Sequence, residues 1–157
     1  MDAHYYADNA SPIRATVLEA DAKKDLAVLE LESLPVNAPS LKLAGEGPGP
    51  GETIYSIGHP GADKVFWLFS FGKVRGLKQF QSDDEEELNV RTILSDLRLN
   101  PGDSGGPVVD EDGNLVGVNM AINTRGRGIS YSIDVAEVKD FLDRVKRLDK
   151  LSASKKP

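Results

Sequence analysis

Leu99-Asn100-Pro101-Gly102-Asp103-Ser104-Gly105-Gly106-Pro107-Val108 is the least generic stretch of the chain. Three glycines and two prolines surround one serine, and the run passes directly into the β-branched pair Val108-Val109. Asn-Pro-Gly is a turn signal, and the apolar β-branched residues after it read as a short strand. Glycine on both sides of the serine permits backbone dihedrals that other residues resist and lets a second backbone come close. A serine held on so tight a turn presents its Oγ while main-chain N–H groups point at the space beside it. That is what a nucleophilic hydroxyl needs when a negative oxygen develops next to it. The bland alternative is a glycine-rich turn whose serine only caps.

Outward from this turn the texture is strand-like in both directions. Ile13–Glu19, Leu26–Leu31, Thr53–Ile57, Trp67–Val74 and Asn89–Leu94 precede or approach it, and Pro107–Val109, Leu115–Asn119 and Gly128–Ile133 follow. Each is short, β-branched or alternating, and turn signals such as Asn37-Ala38-Pro39, His59-Pro60-Gly61 and Glu111-Asp112-Gly113-Asn114 separate them. Many short strands with Gly and Pro between them predict an all-β sandwich or barrel and argue against a βαβ fold. Glu46-Gly47-Pro48-Gly49-Pro50-Gly51 is the best internal boundary. Past Ile133 the period changes: Val135, Val138, Phe141, Leu142, Val145 and Leu148 recur at helical spacing. Asp134 stands at the N-cap, and Lys146, Arg147 and Lys150 sit where the helix C-terminus favours cations.

Composition narrows the function classes. The chain has 157 residues, a formal charge of -6 and no cysteine. An acidic balance argues against a nucleic-acid platform and against a polybasic membrane binder. Without cysteine there is no thiol nucleophile, disulfide framework or cysteine-ligated zinc, and two histidines, His4 and His59, argue against a histidine-rich metal site. No apolar run approaches a bilayer span, and the first residues lack the basic flank and apolar stretch of a signal peptide. Ser82-Asp83-Asp84-Glu85-Glu86-Glu87 reads as a solvated loop tip, with a calcium site or a dock for a basic partner as the alternative.

The serine turn resembles the nucleophile turn of trypsin-like serine proteases, and the Leu-Asn-Pro before it narrows the resemblance to the HtrA-like (Deg) branch. Asp21-Ala22-Lys23-Lys24-Asp25-Leu26-Ala27-Val28-Leu29 resembles the family segment that carries the triad aspartate. The stretch from Gly51 to Gly61, Phe71-Gly72-Lys73-Val74, and the strand into the C-terminal helix follow in the family's order. The resemblance implies a trypsin-like double β-barrel with a C-terminal α-helix. Residues 1–45 correspond to a remnant of the first barrel, 51–133 to the second barrel and 134–151 to the helix. It implies Ser104 as nucleophile, Asp25 as triad acid, and the amides of Gly102 and Ser104 as the oxyanion hole. Asp103 is then a structural residue beside the serine. Arg98, Leu99, Val118, Asn119 and Met120 are expected around the substrate, with Leu115–Asn119 pairing with substrate backbone by β-augmentation. The implied pocket is apolar; Arg98 departs from that pattern if it points inward. No aspartate stands where a trypsin-like pocket holds a cation.

The base is the missing part. A triad needs an imidazole to take the serine proton and return it to the leaving amine, and the family carries it on a Thr-x-x-His-Val-like turn upstream of the aspartate. His4 is the upstream candidate, but no such turn surrounds it, and alignment back from Asp25 places it on a strand. His59, in an Ile-Gly-x-Pro turn, reads as structural. A two-barrel protease takes roughly two hundred residues or more, so a deficit is expected at the N-terminus, with the remaining first-barrel strands rearranged, paired with a neighbouring chain, or poorly ordered. The reading is a serine endopeptidase acting on polypeptide substrates, impaired in this chain, with no metal or organic cofactor. A homo-oligomer or strand exchange through exposed first-barrel edges is expected, with no nucleic acid and no membrane as partner. The alternatives are a non-catalytic peptide-binding module of the same scaffold and, last, a purely structural β-domain.

Overall fold

Strand alternation decides which side chains close the core. On β3 (Thr53–Gly58), Ile54, Ser56 and Gly58 are buried while Tyr55 and Ile57 face outward, the period of two that a pleated strand imposes. The structure is a computed structural model, and it describes residues 12–34, 37–60, 67–81, 88–122 and 128–153. The remaining strands are β1 (Ala15–Asp21), β2 (Leu26–Leu31), β4 (Leu68–Gln81), β5 (Asn89–Ser95), β6 (Pro107–Val109), β7 (Leu115–Ile122) and β8 (Ser130–Asp134), followed by the helix α1 (Val135–Ala153). His4 and the acidic run 82–87 lie outside the described residues.

Strands β3 to β8 form a closed barrel in the order β3-β4-β5-β8-β7-β6, every neighbouring pair antiparallel. Its interior is filled by Ile54, Val74, Ile93, Leu97, Val108 and Val116. A second cluster of Val90, Met120, Ile133 and Val138 lies where the barrel meets α1, with Leu26 of β2 packed against it. The chain is thus mostly β with one C-terminal helix, the expected class. Among the described residues, no helix is long and apolar enough to cross a membrane.

The helix starts where Asp134 caps it: the carboxylate accepts from the amide of Ala136 at 2.8 Å. Its other oxygen stands 3.2 Å from Arg91 Nε, close enough to pair in charge though not aligned for a hydrogen bond. Val135, Val138, Phe141 and Val145 are buried, but Leu148 is 47% exposed, so the apolar stripe outruns the wall it packs on. The Gly/Pro boundary is not a free linker. Ala44 donates to the carbonyl of Leu115 at 2.9 Å, Leu115 donates to the carbonyl of Lys42 at 2.7 Å, and Ala44 enters the barrel core. Gly47 abuts the capping carboxylate, where a Cβ would meet Asp134 Oδ2 at 2.5 Å.

Several strands differ from their sequence-predicted ends. β4 runs to Gln81 instead of stopping at Val74, with a bulge between Val74 and Gly76, because its polar second half pairs with β5 as a ladder. β7 continues to Ile122, and β8 begins at Ser130 instead of Gly128.

Strands β1 and β2 form a separate two-stranded sheet. Its turn end is clasped to the barrel side. Arg144 pairs with Asp21 at 2.7 Å, Lys24 with Glu137 at 2.5 Å, and Asn89 donates to the carbonyl of Lys23 at 2.9 Å. Partial burial pushes the Asp21 carboxyl upward, but the hydrogen bond and charge of Arg144, with the amides of Lys24 and Lys23, outweigh it and hold the group below its ordinary value. Away from this clasp the sheet is open, with Val17 61% and Leu29 53% exposed. Among the described residues, the region expected to carry a first barrel therefore contributes this hairpin and no closed barrel.

Candidate active site

The serine turn is built by hydrogen bonds from both of its ends. Asn100 donates its amide to Asp103 Oδ2 at 2.8 Å, and the amide of Asp103 returns to the carbonyl of Asn100 at 3.0 Å. The amide of Gly106 donates to the carbonyl of Asp103 at 3.0 Å. The turn is then sewn to β7: Gly105 donates to the carbonyl of Asn119 at 2.8 Å, and Asn119 to that of Gly106 at 2.9 Å. The amides of Asp103, Gly105 and Gly106 are thereby engaged. Among the described residues, those of Gly102 and Ser104 donate to no backbone carbonyl of the turn. Gly102 has φ +106, a conformation that a side chain would strain.

Two buried groups fix this geometry. Asn119 donates from Nδ2 to Ser56 Oγ at 2.6 Å and to the carbonyl of Asp103 at 3.3 Å, and its Oδ1 accepts from Ser132 Oγ at 3.3 Å. One amide side chain thus ties β3, β7, β8 and the serine turn together, which a buried polar group must do to offset its desolvation. Asp103 is 3% exposed, and its second oxygen, Oδ1, accepts no hydrogen bond from the described residues. That carboxylate can sit where it does because residue 58 is glycine: a Cβ there would lie 1.9 Å from Oδ1.

Ser104 itself is exposed, and its Oγ donates to the carbonyl of Met120 at 3.1 Å. It opens on a cavity of about 360 Å3 walled by Ile57, His59, Trp67 and Pro107. His59 and Trp67 meet edge to face there, ring centroids 5.5 Å apart at 74°. This wall was not foreseen from the sequence, which treats His59 as a turn residue. The available signal was the alternation on β3, where Ile57 faces outward between the buried Ser56 and Gly58.

The other expected site residues fall in different places. Asp25 closes the turn between β1 and β2 with φ +54, in the other sheet from Ser104. Asn119 lies under the serine turn. Val118 and Met120 approach Ser104 only through the β7 backbone. Their side chains join the cluster at α1, because alternation along β7 turns them away from the turn that Asn119 supports. Arg98 and Leu99 line a second, larger cavity of about 910 Å3 together with Phe69 and Phe71 of β4. His4, the upstream candidate for the base, is outside the described residues.

The chain was compared with known families, curated proteins and solved structures. The trypsin-like peptidase domain matches residues 3–118. The chain is 31% identical over 150 residues to the chloroplastic Protease Do-like 1 of Arabidopsis thaliana, covering 88% of this chain and 32% of that protein. It is 30% identical over 145 residues to the serine protease Do-like HtrA of Bacillus subtilis, covering 87% of this chain and 31% of that protein. The chain therefore spans about a third of the length of these relatives. Among solved structures, the HtrA-type protease AlgW with a decapeptide superposes with a TM-score of 0.71 at 28% identity, over 85% of this chain and 40% of that one. The Rv3671c protease of M. tuberculosis in its active form superposes with a TM-score of 0.78 at 24% identity, over 87% and 60% of the two chains, a likeness of fold.

Proposed function

Because the chain belongs to the trypsin-like peptidase domain family, with HtrA-like serine endoproteases among its relatives, we propose that it is built for peptide-bond hydrolysis through an acyl-enzyme on Ser104. The observation that carries this reading is the serine turn, with Ser104 exposed on a turn held from both ends and two amides not taken up by the turn's backbone bonds.

In the proposed reaction Ser104 Oγ attacks the scissile carbonyl carbon. Oγ loses its proton to a base, and the carbonyl oxygen becomes the oxyanion between the amides of Gly102 and Ser104. Collapse of the tetrahedral intermediate expels the amine, which takes up a proton, and water then attacks the acyl-serine to release the acid and restore Ser104. Asp103 and Asn119 hold the turn in this geometry without touching substrate. Asp25 is the triad acid in this reading and His4 the upstream candidate for the base; polypeptides are the substrates.

Peptide hydrolysis by this chain is proposed to be impaired, because no histidine stands on a turn of the kind the family uses. The second reading, a peptide-holding module without catalysis, is favoured by the Oγ hydrogen bond. Ser104 donates its proton to the Met120 carbonyl, an acceptor that cannot take it away. Turnover of internally quenched peptides by the chain and by Ser104→Ala separates the two readings. Slow cleavage that vanishes in Ser104→Ala supports the endopeptidase. Binding without any Ser104-dependent cleavage selects the module.

A further inference from the structure

The outer face of β4 links the two cavities. Trp67, just before β4, walls the cavity at Ser104, while Phe69 and Phe71 wall the larger one. All three face outward at successive alternate positions, and Phe69 and Phe71 are 59% and 69% exposed. Tyr55 and Ile57 of β3 lie beside them: Tyr55 pairs with Phe71 and Ile57 with Phe69 in the ladder, and the Tyr55 ring stacks on Phe69 with centroids 5.8 Å apart. A contiguous aromatic row this exposed carries an unusual cost in a folded domain unless something covers it.

The far end of the row is cationic. Asp96, the carboxylate bordering the larger cavity, is already committed: it accepts from the amide of Lys73 and pairs with Arg75 at 3.0 Å. Lys73 Nζ donates to Thr53 Oγ1 at 2.7 Å, a neutral partner. Arg98 is exposed, held at its backbone by Ser70 Oγ donating to its carbonyl at 3.1 Å. Among the described residues, its guanidinium makes no ion pair. In a chain with a net charge of -6, this cavity offers positive charge beside aromatic faces, which suits a carboxylate attached to an apolar peptide.

We propose that Trp67, Phe69 and Phe71 floor a track for the substrate polypeptide leading away from Ser104. Arg98 at its end receives an aspartate or glutamate side chain of that same polypeptide. An extended chain rises about 3.3 Å per residue, so the stretch from Trp67 to Phe71 is spanned by about four substrate residues. The track rests on reading Ser104 as the reactive centre, and it assigns Arg98 to selecting acidic residues at a distance from the scissile bond.

Peptide binding to the Ser104→Ala chain tests this without requiring Ser104 to react. Short labelled apolar peptides carry a glutamate at successive positions, each compared with its glutamine counterpart by fluorescence anisotropy. The expected result is one position at which glutamate binds about fivefold tighter than glutamine, a charge-assisted contact weakened by exposure. Adding Arg98→Ala abolishes that preference, and Phe71→Ser weakens both peptides alike. No glutamate preference at any position overturns the proposal, as does a preference that survives Arg98→Ala. Sedimentation supplies the other outcome: if Phe69→Ser or Phe71→Ser turns a dimer into a monomer and leaves peptide binding intact, the row is a self-association face and the track is wrong. A failed track leaves Ser104-dependent cleavage untouched, and a failed Ser104 assignment leaves the glutamate preference standing.

Discussion

The barrel and the β1–β2 hairpin are made of the same kind of strand and end in opposite conditions. In the barrel, Ile54 and Ile93 are completely buried, whereas in the hairpin Val17 and Leu29 are more than half exposed. The difference lies in the available second layer. A sheet that curves until its edges meet supplies its own opposite wall, and a two-stranded sheet has none. The hairpin is therefore held by a polar clasp at one end, the barrel by its whole interior. The proposed triad divides along the same line. The serine turn is sewn into the barrel through Asn119, so its shape does not depend on the hairpin, while Asp25 belongs to the less supported sheet.

The largest expected effect breaks the comparison at its core. Ile93→Ala leaves a cavity in a close-packed interior and should cost about 2–5 kcal/mol in urea unfolding. Leu29→Ala should cost no more than about 0.5 kcal/mol. An equal cost would mean that the hairpin face is covered.

Next is Asn119→Ala. It strands Ser56 and Ser132 in a buried setting and removes one of the two donors to the carbonyl of Asp103, and a loss of about 1–3 kcal/mol is expected. Amide exchange should quicken at Gly105 and Gly106 while β1 and β2 are unaffected. A variant that leaves exchange at the turn unchanged would remove Asn119 from its support.

The smallest effect is a pH effect confined to the hairpin. The Asp21 carboxyl is held below its ordinary value in the folded chain. Its contribution is therefore fully present above the unfolded value of about 3.9 and is lost as pH falls through the lower, folded one. At a part-buried clasp on the molecule's surface the effect should come to about 1 kcal/mol. Protection factors of the β1–β2 amides should fall on acidification before those of the barrel. Asp21→Asn should remove that step; if the step persists, another group is responsible.

Much of this was legible in the sequence because the residues involved obey local rules. Alternation and β-branching located every described strand, the change of period located α1, and Asp134 could be read as its cap. The serine turn stood out because glycine and proline crowd around one hydroxyl. What escaped depends on contacts between distant segments. The polar second half of β4 is a strand only because β5 pairs with it. Val118 and Met120 point toward α1 rather than toward Ser104, which a motif does not reveal. The aromatic row on β4 and the placement of His59 and Trp67 in the wall beside Ser104 emerge only when β3, β4 and the serine turn come together.

The most direct test of the central claim, that Ser104 is a nucleophile on a turn already shaped by the barrel, is reaction with a fluorophosphonate probe, the adduct located by mass spectrometry. The result expected is a single adduct on Ser104, absent from Ser104→Ala and formed more slowly than on a trypsin-like protease with a complete triad run alongside. Adducts spread over other serines, or none on Ser104, would contradict the claim.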